Sequence, residues 1–350
     1  MPRALVRGRG VAGLTIARRL ARAGWQTELM GNPVGRGRVV TIDPSVADLL
    51  LLEFGDHVIR KIAPLSVEER AVRWRPGMIE VVAVRTLVAD LADVVAAIES
   101  SMGSDVETLD ANVVRDGYEA TIDATGRSAE PLLSSGVRTA FCWGLPSDIK
   151  APRVDLGASR FGGWAFVAPA PDGSLSVQQV CPGSDSPELR LRAGKIASHV
   201  LSSIGYSAAA EAVESAFPIV VDATPSFDHP VGQDNTLRVG DRAAAGDPLA
   251  GDGVGRAVRS AVLAAAVLLG PRGSRKAALS HYAARVAAAH AVHLWAAANL
   301  YEQAACSAAF EGIVRLMRRD ARFVNEYSLR QAGSLRLEAG TESLRLVEGM

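Results

Sequence analysis

The sequence is poor in cysteine. Cys142, Cys181 and Cys306 are its three thiols, and their spacing forms no CxxC pair, zinc pattern or disulfide framework. That suits a reducing compartment. Net charge is missing as well, with 38 basic side chains against 38 acidic ones. The balance excludes a dedicated nucleic-acid binder, which needs a basic excess to neutralise phosphates. Long apolar runs are absent too: the longest, Ala261 to Leu269, is far too short to cross a bilayer. No apolar stretch separates Met1 from the first glycines, so no signal peptide is read. The expectation is a soluble, cytoplasmic protein that engages neither nucleic acid nor membrane. What is present is ordinary globular composition, 48% apolar and 22% charged, over 350 residues. That length makes one large domain or two to three lobes.

The N-terminus reads as strand, tight turn, helix, strand. Ala4-Leu5-Val6 is a short β-rich run, and Gly8-Arg9-Gly10-Val11-Ala12-Gly13 follows it. The next stretch carries Leu14, Ile16, Ala17, Leu20 and Ala21 on one helix face, Gly24 suits its C-terminal cap, and Trp25 to Met30 is the second strand. Asp43-Pro44 opens a helix through Leu52, with Asp43 as cap. Arg85 to Ile98 reads as a further amphipathic helix, and Val113 to Asp123 as a hairpin turned at Asp116-Gly117. From Val154 to Val180 the pattern is all-β, with Phe161–Val167 and Ser174–Val180 flanking the turn Ala170-Pro171-Asp172-Gly173. A helix over Glu188–Ile204 follows, then short strands to Val239, then an Ala-rich helix from Val254 to Leu269. Two or more helices occupy Ser274 to Asp320. The repeated Ser-Leu-Arg at Ser328, Ser334 and Ser343 fits either a hairpin or a loose tail, and it is not a solenoid repeat.

Gly8-x-Gly10-x-x-Gly13 sits where a dinucleotide site needs it, after a strand and opening a helix. The first glycine makes the turn, the second lets a pyrophosphate reach the backbone and the third permits close helix–strand packing. One expected element is missing. A carboxylate should end the second strand to take the ribose hydroxyls, and that place is Gly31; Glu28, three residues earlier, points to the opposite side. Asn32 or Arg38 could compensate in part.

Two further segments carry a resemblance. Gly240-Asp241 leads through Asp247-Pro248 and Gly251-Asp252-Gly253-Val254-Gly255 into the Ala-rich helix, and Asp123-Ala124-Thr125-Gly126 ends an earlier strand. Together with the glycine motif, these resemble the FAD-dependent monooxygenases of the p-hydroxybenzoate hydroxylase fold, most of all their tryptophan-halogenase-like branch. The resemblance covers about residues 1–270, and the chain is short for that family between Arg38 and Arg85. It implies an α/β protein whose Rossmann-like FAD domain is discontinuous (1–42, 79–137 and 223–270). An antiparallel β-sheet substrate lobe (43–78 and 138–222) is inserted in it. A C-terminal helical region (271–325) and a tail or hairpin (326–350) follow. By resemblance, FAD would be held by Gly8, Gly10, Val11, Ala12, Gly13, Arg38, Arg85, Thr125, Gly126, Gly240, Asp241, Pro248, Gly251, Asp252, Gly253 and Val254. Asp241 would take the ribityl chain, and the loop through Pro248 and Gly253 would lie against the isoalloxazine. Backbone N–H groups at that helix start suit the negative charge of reduced flavin.

Trp164-Ala-Phe166-Val-Ala-Pro169 resembles a halogenase motif with two of four positions changed, and none of Lys61, Lys150, Lys195 or Lys276 sits in a halogenase lysine motif. Halogenation is therefore disfavoured. Gly163 to Pro182, including Gln178, and the helix from His281 to Tyr301 are closer to the subgroup that oxidises tryptophan side chains in peptides or proteins. Trp164, Phe166 and Gln178 are the expected substrate-facing residues. His293, Trp295 and Tyr301 are candidates for a substrate entrance. His281, His290 and His293 form no complete metal set, and no metal is expected.

The resemblance thus implies hydroxylation of an aromatic substrate, free or peptide-bound, through a flavin C4a-hydroperoxide. Electrons would come from NAD(P)H or from a separate flavin reductase. Two alternatives stay open: a flavin reductase of the geranylgeranyl-reductase type, and a flavin-poor homologue acting as a binding or maturation partner.

Overall fold

Short apolar strands broken by glycine turns build the N-terminus of the fold. β1 (Arg3–Arg7) buries Ala4, Leu5 and Val6, α1 (Val11–Arg22) follows, and β2 (Gln26–Met30) returns parallel to β1. Leu14, Ile16 and Leu20 of α1 are fully buried, each worth about 1.5–3 kcal/mol. Arg19 and Arg22 complement the end of the helix dipole, and Gly24 at φ +82° turns the chain out. The computed structural model describes residues 1–74, 78–109, 116–146, 153–159, 162–232, 236–304, 308–332, 335–339 and 344–348.

Next come β3 (Val39–Ile42), α2 (Pro44–Phe54), α3 (Asp56–Ile62), β4 (Leu65–Arg73), β5 (Glu80–Asp90) and α4 (Leu91–Glu99). Strands β6 (Val106–Leu109), β7 (Ala120–Asp123), β8 (Leu133–Ser134) and β9 (Arg138–Leu145) precede β10 (Arg153–Ala158), β11 (Trp164–Pro169) and β12 (Leu175–Pro182). Then follow α5 (Pro187–Ser203), α6 (Ser207–Ser215), β13 (Ile219–Asp222), β14 (Ser226–Phe227) and β15 (Leu237–Arg238). The last elements are α7 (Asp241–Ala244), α8 (Gly253–Leu269), α9 (Arg275–Ala304), α10 (Ala308–Gln331), β16 (Leu335–Ala339) and β17 (Leu344–Glu348).

The architecture is the α/β one expected. A parallel sheet runs in the order β15-β7-β1-β2-β6. A larger sheet runs β13-β9-β12-β11-β10-β4-β5-β3 and is antiparallel except where β4 meets β10. Helices α5 and α6 cover its outer face, setting Leu189, Ile196 and Val213 against Phe141, Trp143 and Val177. The helix α9, about 45 Å long by its rise, braces both sheets. Its Tyr282 and Val286 enter the core of the parallel sheet, while Leu294, Ala298 and Tyr301 pack beneath Trp164 on the larger one.

Several expectations change. Arg85 to Ile98 is not one helix: β5 runs to Asp90, which caps α4 by accepting from the Ala92 N–H. The β-branched Val81, Val82, Thr86 and Val88 fit the ladder with β4. The first arm of the expected Val113–Asp123 hairpin lies outside the described residues, and its second arm, β7, pairs in parallel with β1 and β15. Phe161, Lys150 and Cys306 also lie outside them. Within residues 43–78, α2 and α3 join the core beneath α8 and α4 through Val46, Leu50, Phe54 and Val58, whereas β4 belongs to the larger sheet. The tail carries the antiparallel pair β16–β17, and α10 extends to Gln331.

Candidate functional site

At the carboxyl ends of the parallel strands a cleft of about 790 Å³ opens, the place where open parallel sheets bind ligands. Gly8 has φ +110°, and a Cβ there would lie 2.1 Å from the Ala124 carbonyl oxygen; one at Gly13 would lie 1.9 Å from the Gly8 oxygen. These two glycines let β1, β7 and α1 close on one another. A Cβ at Gly10, Gly126 or Gly253 would meet nothing within 4 Å, and all three residues line the cleft. The helix α1 starts at Gly10 with no side-chain cap and no acid in its first turn, and α8 starts at Asp252 in the same way. Both helix ends therefore offer N–H groups to the cleft.

Gly8, Gly10, Val11, Ala12, Arg38, Thr125, Gly126, Gly240, Asp241, Gly253 and Val254 all line this cleft. Gly13 acts beneath it, by packing. Arg85 does not belong. It sits on β5 with its side chain 70% exposed, near Ser66 and Glu68, because the helix expected to present it is a strand. Asp123 of the strand-end motif is structural: it accepts from Thr125 N–H and Oγ1 and from Arg242 Nε. Burial pushes its carboxyl up, but those bonds outweigh burial and hold it below the usual range.

Gly31 leaves β2 at φ +136°, where a Cβ would sit 3.3 Å from Gly8 Cα and Arg9 N. Glu28 is fully buried away from the cleft, bonded to Arg3 at 2.8 Å and to Tyr118. Among the described lining residues Asp241 is the one carboxylate, against Arg7, Arg9, Arg36 and Arg38.

A second, inner cavity of about 200 Å³ adjoins the cleft. Arg38, Val40, Asp241, Gly253 and Val254 line both. The larger sheet forms its far wall. Cys142, Gln178, Phe166 and Leu156 make one cross-strand row, with Trp164 a step along β11 and the pair Arg70–Val154 on the other side. Pro248, Gly251 and Asp252 close the cavity from the loop before α8. All three expected substrate residues, Trp164, Phe166 and Gln178, thus share one cavity with the expected flavin loop. Burial pushes the Cys142 thiol up to about 11, so it is neutral there.

Behind that loop lies a polar cluster that the sequence reading did not assemble. Asp247 accepts from Leu249 N–H at 2.9 Å, faces Arg138 at 3.2 Å and accepts from the Tyr301 hydroxyl at 3.1 Å. Trp164 Nε1–H in turn donates to Tyr301 at 2.8 Å. Arg138 lies 5.2 Å from the centroid of the Tyr301 ring. The Asp247 backbone N–H donates to His293 Nε2 at 2.7 Å. That bond needs a lone pair, so the ring is neutral, and the 3.9 Å approach of Nδ1 to Asp252 is not an ion pair. Burial, then Arg256 and Arg138, push His293 down to about 3. Burial, Arg256 and His293 likewise hold His290 well below its ordinary value. Arg127, one residue past the strand-end motif, ties the loop to the larger lobe through Thr224 O and Gly246 O. His293 and Tyr301 therefore support the loop and do not line an entrance, and Trp295 lies outside under Arg318. Asp247 stood inside a legible motif; His293, Tyr301 and Arg138, its partners outside the loop, lie 46 to 109 positions away, beyond the reach of spacing.

No protein-family model and no curated protein matches the sequence. Solved structures do match the fold. The peptidyl tryptophan dihydroxylase QhpG, essential for tryptophylquinone cofactor biogenesis, superposes with a TM-score of 0.74 at 19% identity, over 99% of this chain and 86% of that one. The flavin-dependent halogenase CmlS gives 0.70 at 17% identity, over 93% and 70%. A variant of HpxO from Klebsiella pneumoniae, solved with FAD, gives 0.65 at 15%, over 94% and 99%. The fold is the one these flavoproteins share, as the resemblance implied.

Proposed function

We propose that the protein is an FAD-dependent monooxygenase that hydroxylates a small or peptide-bound aromatic ring. The observation that carries this reading is the shared wall. The cleft with the dinucleotide glycines and the aromatic-lined inner cavity meet at Arg38, Val40, Asp241, Gly253 and Val254. A two-part ligand with a redox ring at one end fits such a path. The residues present suit FAD: Gly10, Gly126 and Gly253 leave open the space a Cβ would fill, and two uncapped helix starts face it. When bound, the flavin supplies the oxygen chemistry: one atom of O2 enters the ring and the other leaves as water, with two electrons from NAD(P)H or a flavin reductase.

The chain's own part is binding and exclusion. N–H groups at the start of α1 take the pyrophosphate, and Asp241 takes ribityl hydroxyls. Loop Pro248–Gly253 positions the ring system, braced from behind by Asp247, Tyr301 and His293. Trp164, Phe166 and Gln178 hold the substrate against it in a space worth about seven waters. The tryptophan dihydroxylase neighbour supports an indole or a tryptophan side chain as substrate. Neither Lys61, Lys195 nor Lys276 lines the inner cavity, which favours hydroxylation over halogenation.

The test is the visible spectrum of the purified protein before and after FAD is added. Flavin bands retained through gel filtration, followed by substrate-stimulated NAD(P)H oxidation or by turnover with a flavin reductase, support the proposal. A colourless protein with no saturable FAD binding overturns it. That outcome would favour the flavin-poor binding partner, the reading to which Gly31 lends weight.

A further inference from the structure

Arg70 lines the inner cavity from β4, yet no hydrogen bond or ion pair joins its side chain to any described residue, and its Nε is buried without a partner. Of the other arginines around the cavity, two are engaged through their terminal nitrogens. Arg127 holds Thr224 O and Gly246 O, while Arg256 donates to Ala244 O and His290. Arg38 stands exposed at the junction with the cleft. The cavity's carboxylates are placed elsewhere, Asp247 beside Arg138, Asp241 toward Arg127 and Asp252 toward His293. A guanidinium kept beside an aromatic wall with a stripped Nε is costly unless something completes it.

We infer that the substrate carries a carboxylate and that Arg70 binds it. The spacing fits. Arg70 pairs with Val154 on β10, which borders β11, and lies two residues from Val72, the partner of Leu156 in the Phe166 row. Strand separation and rise then put Arg70 about 12 Å from Phe166, Cα to Cα. Alternation puts both side chains on the cavity face of the sheet, and a separation of about 12 Å matches an aromatic ring bearing an acid group with a contact at each end. Arg70 offers the planar fork that matches a carboxylate. Gln178 and Ser176 on β12, beyond the strand of Phe166, supply neutral polar contacts to the rest of the ligand. Arg70 is thus a specificity residue: it selects acids over neutral rings of equal shape. This rests on the proposed function only in taking the inner cavity as the substrate's.

The test is titration calorimetry with a shape-matched pair, indole-3-carboxylate and indole-3-carboxamide, on the FAD-treated protein. A second pair, N-acetyl-Glu-Trp-amide and N-acetyl-Gln-Trp-amide, asks whether the carboxylate comes from a free acid or from a neighbouring peptide residue. The expected result is at least a tenfold preference for the acid in one pair. That preference should vanish in Arg70→Met and return in part in Arg70→Lys, while the neutral partner's affinity moves less than twofold. Equal binding of acid and amide in both pairs overturns the inference, and so does a preference that survives in Arg70→Met. Flavin retention, read separately by absorbance, reports on the proposed function: a protein that retains flavin but ignores the acid group loses Arg70's role and keeps the flavin reading. Circular dichroism of each variant establishes that it is folded.

Discussion

A single backbone angle decides what Gly31 can become. Its φ of +136° and the 3.3 Å approach of a Cβ to Gly8 strain any side chain placed there. Gly31→Asp, which restores the acid usual in dinucleotide sites, is therefore expected to weaken FAD binding, as fluorescence titration would show; tighter binding would mean that the strand end adapts. Tyr301 is the second case. Tyr301→Phe strips a hydrogen bond from Trp164 and another from Asp247. The expected loss is about 1–3 kcal/mol in urea unfolding, and an unchanged midpoint would sink the bracing role. The third concerns His293. Its folded value of about 3 lies below the unfolded value near 6.5, so the unfolded chain takes up more protons between those limits. Its contribution is complete above pH 6.5 and declines as pH falls toward 3. Between pH 7 and pH 5 the loss is about 2 kcal/mol from His293 alone, and His290 adds in the same direction. His293→Gln keeps an acceptor for the Asp247 N–H and should flatten that slope; an unchanged slope would place the effect elsewhere.

Among the elements, α8 is closely packed on one side. A Cβ at Gly255 would lie 2.8 Å from Val46 of α2 and 2.9 Å from Arg259. Gly255→Val is expected to cost about 1–3 kcal/mol by overpacking and to weaken FAD binding, because Gly253 and Val254 of the same helix line both cavities. A variant that loses stability but binds FAD normally would uncouple the helix from the site. Elements were legible where a local rule governs them. Gly8, Gly13 and the cap Asp43 announce their turn and helix from neighbouring residues alone, and the structure uses them so. The segment from Arg85 was not, because Leu87, Leu91, Val94, Val95 and Ile98 keep helical spacing across a strand–helix junction. The signal was Asp90, a cap in the middle of the run. Asp247, Tyr301, Trp164 and Arg138 were illegible as a group for a different reason: tertiary folding alone brings a loop, a helix and two strands together.

For the whole molecule, the cleft and cavity are walled by both sheets and by the start of α8, with α9 behind. A ligand filling them should raise the unfolding temperature in one transition. At a hundred times its Kd, FAD would add about 2.7 kcal/mol, a shift of a few degrees; scanning calorimetry that showed no shift at saturating FAD would leave the cleft without this ligand. The two walls also differ in what they can tolerate. Gly253 and Val254, where the loop enters α8, line both chambers, so changes there disturb both at once. Arg70, Phe166, Gln178 and Cys142 line the inner chamber and not the cleft. Strand positions are thus the evolvable half of the site: lineages, or a laboratory library, can trade one substrate for another there while inheriting the redox half unchanged.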